Sequence, residues 1–191
     1  FNKAIELDPN YSEAYYNRGA AFEDQYKYDL ALADYNKAIE LNPDFSQAYN
    51  NRGNIFSNGN KFDQALADFN KAIELNPNYS QAYNNRGNVF ANNKKFDMAL
   101  ADFSKAIKLN PNNAKAYNNR GNVYTNNKKY DLAIADFSKA IELNPNNPQA
   151  YYNRGVVEFY SGKKDAACKD MKKAANLGSQ QAADVLPQIC K

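Results

Sequence analysis

Residues 80–111 read SQAYNNRGNVFANNKKFDMALADFSKAIKLNP, and the second half is easier to place than the first. From Lys94 onward, Ala99, Phe103, Ala106 and Ile107 recur at three- and four-residue steps, so they share one face of a helix that Pro111 closes. The first half has the length of a helix and an odd composition. Ala82 to Asn93 hold five asparagines, which are poor helix formers, and set Arg86 beside Gly87 where apolar residues are expected. Gln81 follows Asn78 by three residues, the spacing of a capping box at the start of a helix.

The oddity is periodic. Gly19, Gly53, Gly87, Gly121 and Gly155 lie 34 residues apart, as do Pro9, Pro43, Pro77, Pro111 and Pro145. All five arginines of the chain, Arg18, Arg52, Arg86, Arg120 and Arg154, keep the same interval. Each interval holds two helical runs, a polar turn and a closing proline. Such units bury their apolar faces only by stacking on their neighbours.

Fixed offsets narrow the class further. In one interval Tyr83 precedes Gly87 by four residues, Phe90 follows it by three, and Ala99, Phe103, Ala106 and Pro111 complete the pattern. With these residues the chain resembles the tetratricopeptide repeat over nearly its whole length. The resemblance implies an all-α fold, a right-handed superhelical solenoid of antiparallel helix pairs. Repeats are expected at 12–45, 46–79, 80–113 and 114–147, with a divergent last repeat at 148–178 in which Lys164 and Met171 replace aromatics. Residues 1–11 begin FNKAIEL, which aligns with Phe69–Leu75, and are expected to be the second helix of a preceding repeat. Residues 179–191 are expected to form a capping helix that Pro187 ends or kinks early.

On a helical wheel Tyr83, Gly87 and Phe90 share an arc, and Arg86 falls in its middle. An inward guanidinium needs a carboxylate, because a buried charge without a partner costs several kcal/mol. Asp34, Asp68, Asp102, Asp136 and Asp170 follow the five arginines by 16 residues each. Each pair is expected to tie together two helices, of one repeat or of adjacent repeats, in a purely structural role.

The opposite stripe of the wheel carries Gln81, Asn85, Asn88 and Asn92, with Asn84 on its border. Its equivalents are Gln47, Asn51, Asn54 and Asn58, bordered by Asn50, and Lys115, Asn119, Asn122 and Asn126, bordered by Asn118. The family's geometry turns this stripe into a concave groove. Some members bind extended segments through asparagines two residues before the repeat glycine, here Asn17, Asn51, Asn85, Asn119 and Asn153. A carboxamide offers an acceptor and two donors, which suits it to a peptide main chain. The competing reading is a solvated face in a chain with 31 asparagines, many of them in turns. Against it, Glu, Lys or Gln would fill a solvated helix face at lower cost.

The family's carboxylate clamp requires a lysine three residues before the glycine. Tyr16, Asn50, Asn84, Asn118 and Tyr152 stand there, which argues against reading acidic tails. Lysines do gather in the turns, at Lys27, Lys61, Lys94, Lys95, Lys128, Lys129, Lys163 and Lys164, where they serve solubility or attract an acidic partner. The aromatics belong to the core, so nucleic-acid binding is disfavoured. Histidine is absent and cysteines number two, which removes the commonest general base and the usual zinc sites. No enzyme, cofactor or metal role is read from the chain.

No apolar run reaches the ~18 residues of a membrane span, and a net charge of +3 suits a soluble protein. Cys168 and Cys190 are equidistant from Ser179, so a turn there brings them together, as a disulfide or as two reduced core residues. A bridge would favour an exported protein over a cytoplasmic one. The expected function is a protein-interaction scaffold that holds an extended partner segment in an asparagine-lined groove. The alternative is a self-assembly module in which the helix at Phe1–Leu7 docks a second copy.

Overall fold

The computed structural model describes residues 1–190, and among them it contains twelve α-helices and no strand. Lys191, the last residue of the expected cap, lies outside the described residues. The helices form two compact units that divide after Asn93. The first holds α1 (Asn2–Leu7), α2 (Ser12–Asp24), α3 (Tyr28–Leu41), α4 (Ser46–Asn58), α5 (Phe62–Leu75) and α6 (Ser80–Asn92). The second holds α7 (Phe96–Leu109), α8 (Ala114–Asn126), α9 (Tyr130–Leu143), α10 (Pro148–Tyr160), α11 (Lys164–Asn176) and α12 (Gln180–Ile189). No described helix is long and apolar enough to cross a membrane.

Within each unit the order of packing follows the order of the chain. In the first, α2 packs on α3, α3 on α4, α4 on α5 and α5 on α6. In the second the same succession runs from α7 to α12. The buried face of each second helix is spaced in steps of three and four: Ala31, Tyr35 and Ala38; Ala65, Phe69 and Ala72; Ala133, Phe137 and Ala140; Ala167, Met171 and Ala174. The large member of the first three sets also meets the following repeat. Tyr35 clusters with Ile55, Phe69 with Val89 and Phe137 with Val157. Removing one such ring from water is worth about 2 kcal/mol, and part of its cover comes from the neighbour, so a lone repeat lacks a complete core.

Glycine lets the paired helices approach. A Cβ on Gly53 would sit 2.9 Å from Phe69 Cε1 and 3.2 Å from Asp68 Cβ. The close contact outweighs the cost of about 1 kcal/mol that a glycine brings to a helix interior.

Between paired helices the chain reverses through a residue at positive φ, such as Asn60 at 57° and Lys128 at 56°. In the first of these turns Asn60 N–H donates to Ser57 O and Lys61 N–H to Phe56 O, which satisfies the last carbonyls of α4. Between repeats, Asn76 Oδ1 accepts the N–H of Asn78 at 3.1 Å across Pro77, and Asn110 does the same for Asn112. Several turn asparagines are thereby explained by turn chemistry.

Two local expectations are corrected. The capping box at Asn78 and Gln81 does not form: α6 starts at Ser80 behind Tyr79 with no side-chain cap, because the Asn-Pro turn places Asn78 outside the helix. Nor does Pro187 end α12 early, since the helix runs through it to Ile189. In the last turn a proline removes one donor from a stretch that has few bonds left to lose. Ser179 caps this helix by accepting Ala182 N–H at 3.3 Å.

Candidate functional site

The first helices carry two opposite faces, one built around arginine and one around carboxamides. Arg52 on α4 donates from Nε to Asp68 Oδ2 at 2.8 Å and from Nη2 to Asp68 Oδ1 at 2.7 Å, both on α5 of its own repeat. Its third nitrogen, Nη1, reaches Asn36 Oδ1 on α3 of the preceding repeat at 2.6 Å. Arg18, Arg120 and Arg154 make the same fork onto Asp34, Asp136 and Asp170. Their third contacts are Asn2, Ser104 and Ser138. Arg86 reaches Asn70 Oδ1 at 2.7 Å in the first unit, and Asp102 is buried on α7 in the second.

Each guanidinium also lies against aromatic rings. For Arg52 the centres of Tyr49 and Phe56 are 5.5 and 5.9 Å from Cζ. The aspartate bond raises the pKa of Arg52, Arg120 and Arg154 above the ordinary value, so the charge is permanent. Sequence reasoning passed over Asn2, Asn36, Asn70, Ser104 and Ser138. Their signal was an interval of 16 residues before each arginine, the mirror of the one that marked the aspartates.

The last repeat departs from this arrangement. Glu158 stands where Phe22, Phe56, Phe90 and Tyr124 stand in the others. It is 8% exposed, and its Oε2 has no hydrogen-bond partner. Burial, followed by the charge of Asp170, pushes its carboxyl above the usual range, while Arg154 and Lys163 oppose the shift.

On the carboxamide face, Asn17, Gln47, Asn58, Gln81 and Asn92 are exposed in the first unit, and Asn51, Asn54, Asn85 and Asn88 are half-buried. In the second unit Lys115, Asn122 and Asn126 are exposed, with Asn119 and Asn153 half-buried. In the first unit the border residues are the deeper ones: Asn50 is 3% exposed and Asn84 7%. They bond the stripe together. Asn85 Nδ2 donates to Asn50 Oδ1 of the previous repeat at 3.0 Å, and Asn50 Nδ2 to Asn51 Oδ1 at 3.1 Å. Asn51 Nδ2 then donates to the hydroxyls of Tyr16 and Tyr35, both at 3.3 Å. Burial and a 2.7 Å bond to Glu23 raise the Tyr35 phenol far above its ordinary value, which keeps it a neutral donor.

In the second unit Asn153 Nδ2 donates to Asn118 Oδ1 at 3.3 Å and Asn122 Oδ1 at 3.0 Å, and Gln149 Nε2 donates to Asn153 Oδ1 at 2.6 Å. The turn lysines stay exposed, and Cys168 on α11 is joined to Cys190 at the end of α12, with Cα atoms 5.0 Å apart.

The tetratricopeptide-repeat family model matches residues 12–45, 46–79, 80–113 and 114–147, and a second model of the same repeat matches 137–169. The chain belongs to the tetratricopeptide-repeat family. Comparison with curated proteins found no match. Among solved structures, the TPR protein YrrB is 26% identical, with 98% of this chain and 97% of that one covered and a TM-score of 0.73. MamA is similar at 25% identity over 86% of this chain and 96% of that one, with a TM-score of 0.73. A chain of the APC/C hetero-tetramer Cut9–Hcn1 shares the fold at a TM-score of 0.90 and 20% identity, with all of this chain and 38% of that one covered. TPR repeats generally act as non-enzymatic scaffolds, and this TPR chain is a scaffold for protein–protein interaction.

Proposed function

We propose that the carboxamide face binds the main chain of an extended partner peptide. The observation that carries this reading is the network that holds the amides. Asn51 and Asn85 are oriented by Asn50, Asn84, Tyr16 and Tyr35, so their groups are preorganised rather than free to rotate. Asn51 uses both amide hydrogens internally and keeps a lone pair on Oδ1, an acceptor for a peptide N–H. Exposed Gln47, Gln81, Asn58 and Asn92 add donors and acceptors beside them. An array of neutral amides suits a main chain and asks little of side chains. The similar protein YrrB carries what is described as an unusual peptide-binding site, which supports peptide capture by this chain too.

The test is a peptide-library pull-down with the wild-type chain and with Asn51→Ala/Asn85→Ala/Asn119→Ala. Each amide bond is worth about 1 kcal/mol, so the triple variant should lose captured peptides by about 10- to 100-fold while keeping its helical circular dichroism. Backbone N-methylation of a captured peptide should abolish binding where side-chain replacement does not. Identical catches by both chains, or tolerance of N-methylation, would remove the proposal.

A further inference from the structure

At the edge where α3, α4 and their turns meet, the first unit contains a half-open cavity of about 230 Å³. Tyr28, Leu32, Ile55 and Phe56 give it apolar surface, and Asp29, Asn58 and Lys61 add polar groups. The floor is Gly59, directly after α4. The next repeat has Asn93 at this place, and its Nδ2 donates to Val89 O at 2.8 Å. The last repeat has Ser161 there, and its hydroxyl donates to Glu158 O at 3.0 Å. In both, a side chain covers the carbonyls that end the first helix.

Gly59 has no such group, and neither the backbone nor the space demands a glycine. Its φ is −84°, and an added Cβ would come no closer than 3.5 Å to Ile55 O, an ordinary contact. What the glycine changes is the cavity itself and Ile55 O, which accepts the Gly59 N–H at 3.0 Å but gains no second, side-chain donor from residue 59.

We infer that this cavity binds the indole of a tryptophan residue from a partner polypeptide, at a site that shares Asn58 alone with the carboxamide face. The walls call for a large apolar ring, and the carbonyl for a single N–H placed as Asn93 Nδ2 is placed in the next repeat. Lys61 Nζ lies 5.9 Å from the Phe56 ring centre, where its charge also favours an electron-rich aromatic face entering the cavity, and Asp29 in the same lining balances that charge, which suits a neutral ring. Indole combines the strongest cation–π face among side chains with one N–H donor. Phenylalanine lacks the donor.

The chain contains no tryptophan, so the emission of N-acetyl-L-tryptophanamide reports its binding without background. Titration of the wild-type chain is expected to give a saturable blue shift with a Kd on the order of 1 mM or tighter. Gly59→Asn copies the arrangement at Asn93 and should keep the helical spectrum while weakening the probe by about tenfold or more. Methylation of the indole nitrogen should weaken it similarly. Amide chemical shifts of the wild-type chain give a readout independent of any variant. Changes centred on Gly59 and Lys61, and absent at Asn93 and Lys95, are expected. The inference is overturned by an unsaturable response, by equal binding to Gly59→Asn, or by shifts that map elsewhere.

Discussion

Arg52 reaches 16 residues forward to Asp68 and 16 back to Asn36, so one side chain joins α4 to the helix after it and to the helix before it. The planar fork suits a carboxylate, and Asp68, 5% exposed, would be left charged and unpaired without it. Glu158 shows the opposite case. It replaces the aromatic that lies over the arginine in earlier repeats, and its buried Oε2 is unpartnered. Because its pKa is raised in the folded chain, the folded state binds a proton more tightly than the unfolded one. Its contribution to stability is therefore full below the ordinary glutamate pKa and is lost as pH rises through the raised value. Glu158→Gln should stabilise the chain by about 1 kcal/mol at neutral pH and have no effect in acid. Urea unfolding of both chains across that pH range checks this. A constant difference would show that ionisation is not the cause.

Between elements, the close approach of α4 and α5 rests on Gly53, against which Phe69 and Asp68 lie with no room for a methyl group. Both neighbours are held, Phe69 in the core and Asp68 in the arginine fork, so neither yields easily. Gly53→Ala is expected to cost about 1–3 kcal/mol despite the better helix propensity of alanine. Gly59→Ala, at an open position, should stay within about 0.5 kcal/mol of wild type. Thermal melts of the two variants separate crowding from propensity, and equal losses would contradict the packing argument. The same contrast explains why two glycines of one repeat differ in meaning: one makes room for a neighbouring helix, and the other leaves room unfilled.

At the scale of the molecule, each unit is a succession of pairwise contacts in which every repeat depends on the next. The end of the second unit is held by α12, whose Ala182 packs with Met171 and Ala174, and by the bond between Cys168 and Cys190. A cross-link spanning 22 residues lowers the entropy of the unfolded chain by an amount worth about 3 kcal/mol. Cys168→Ser is expected to lose up to about that much, with amide exchange accelerating in α12 before α8 and α9. Unchanged exchange in α12 would show that packing alone secures the end.

The 34-residue period, the helix pairs and the inward faces of the repeat helices were legible in the chain, because they depend on local periodicity and on which side chains avoid water. Bonds between repeats were not. That Asn85 would donate to Asn50, or Arg52 to Asn36, depends on how far one helix shifts along the next, which no single repeat encodes. The cavity over Gly59 was hidden for the same reason: its walls come from residues 28–32 and 55–61, which meet only when two repeats pack. Periodicity along the chain sets what each helix turns inward, and packing between neighbours sets which polar groups find partners and which spaces stay open.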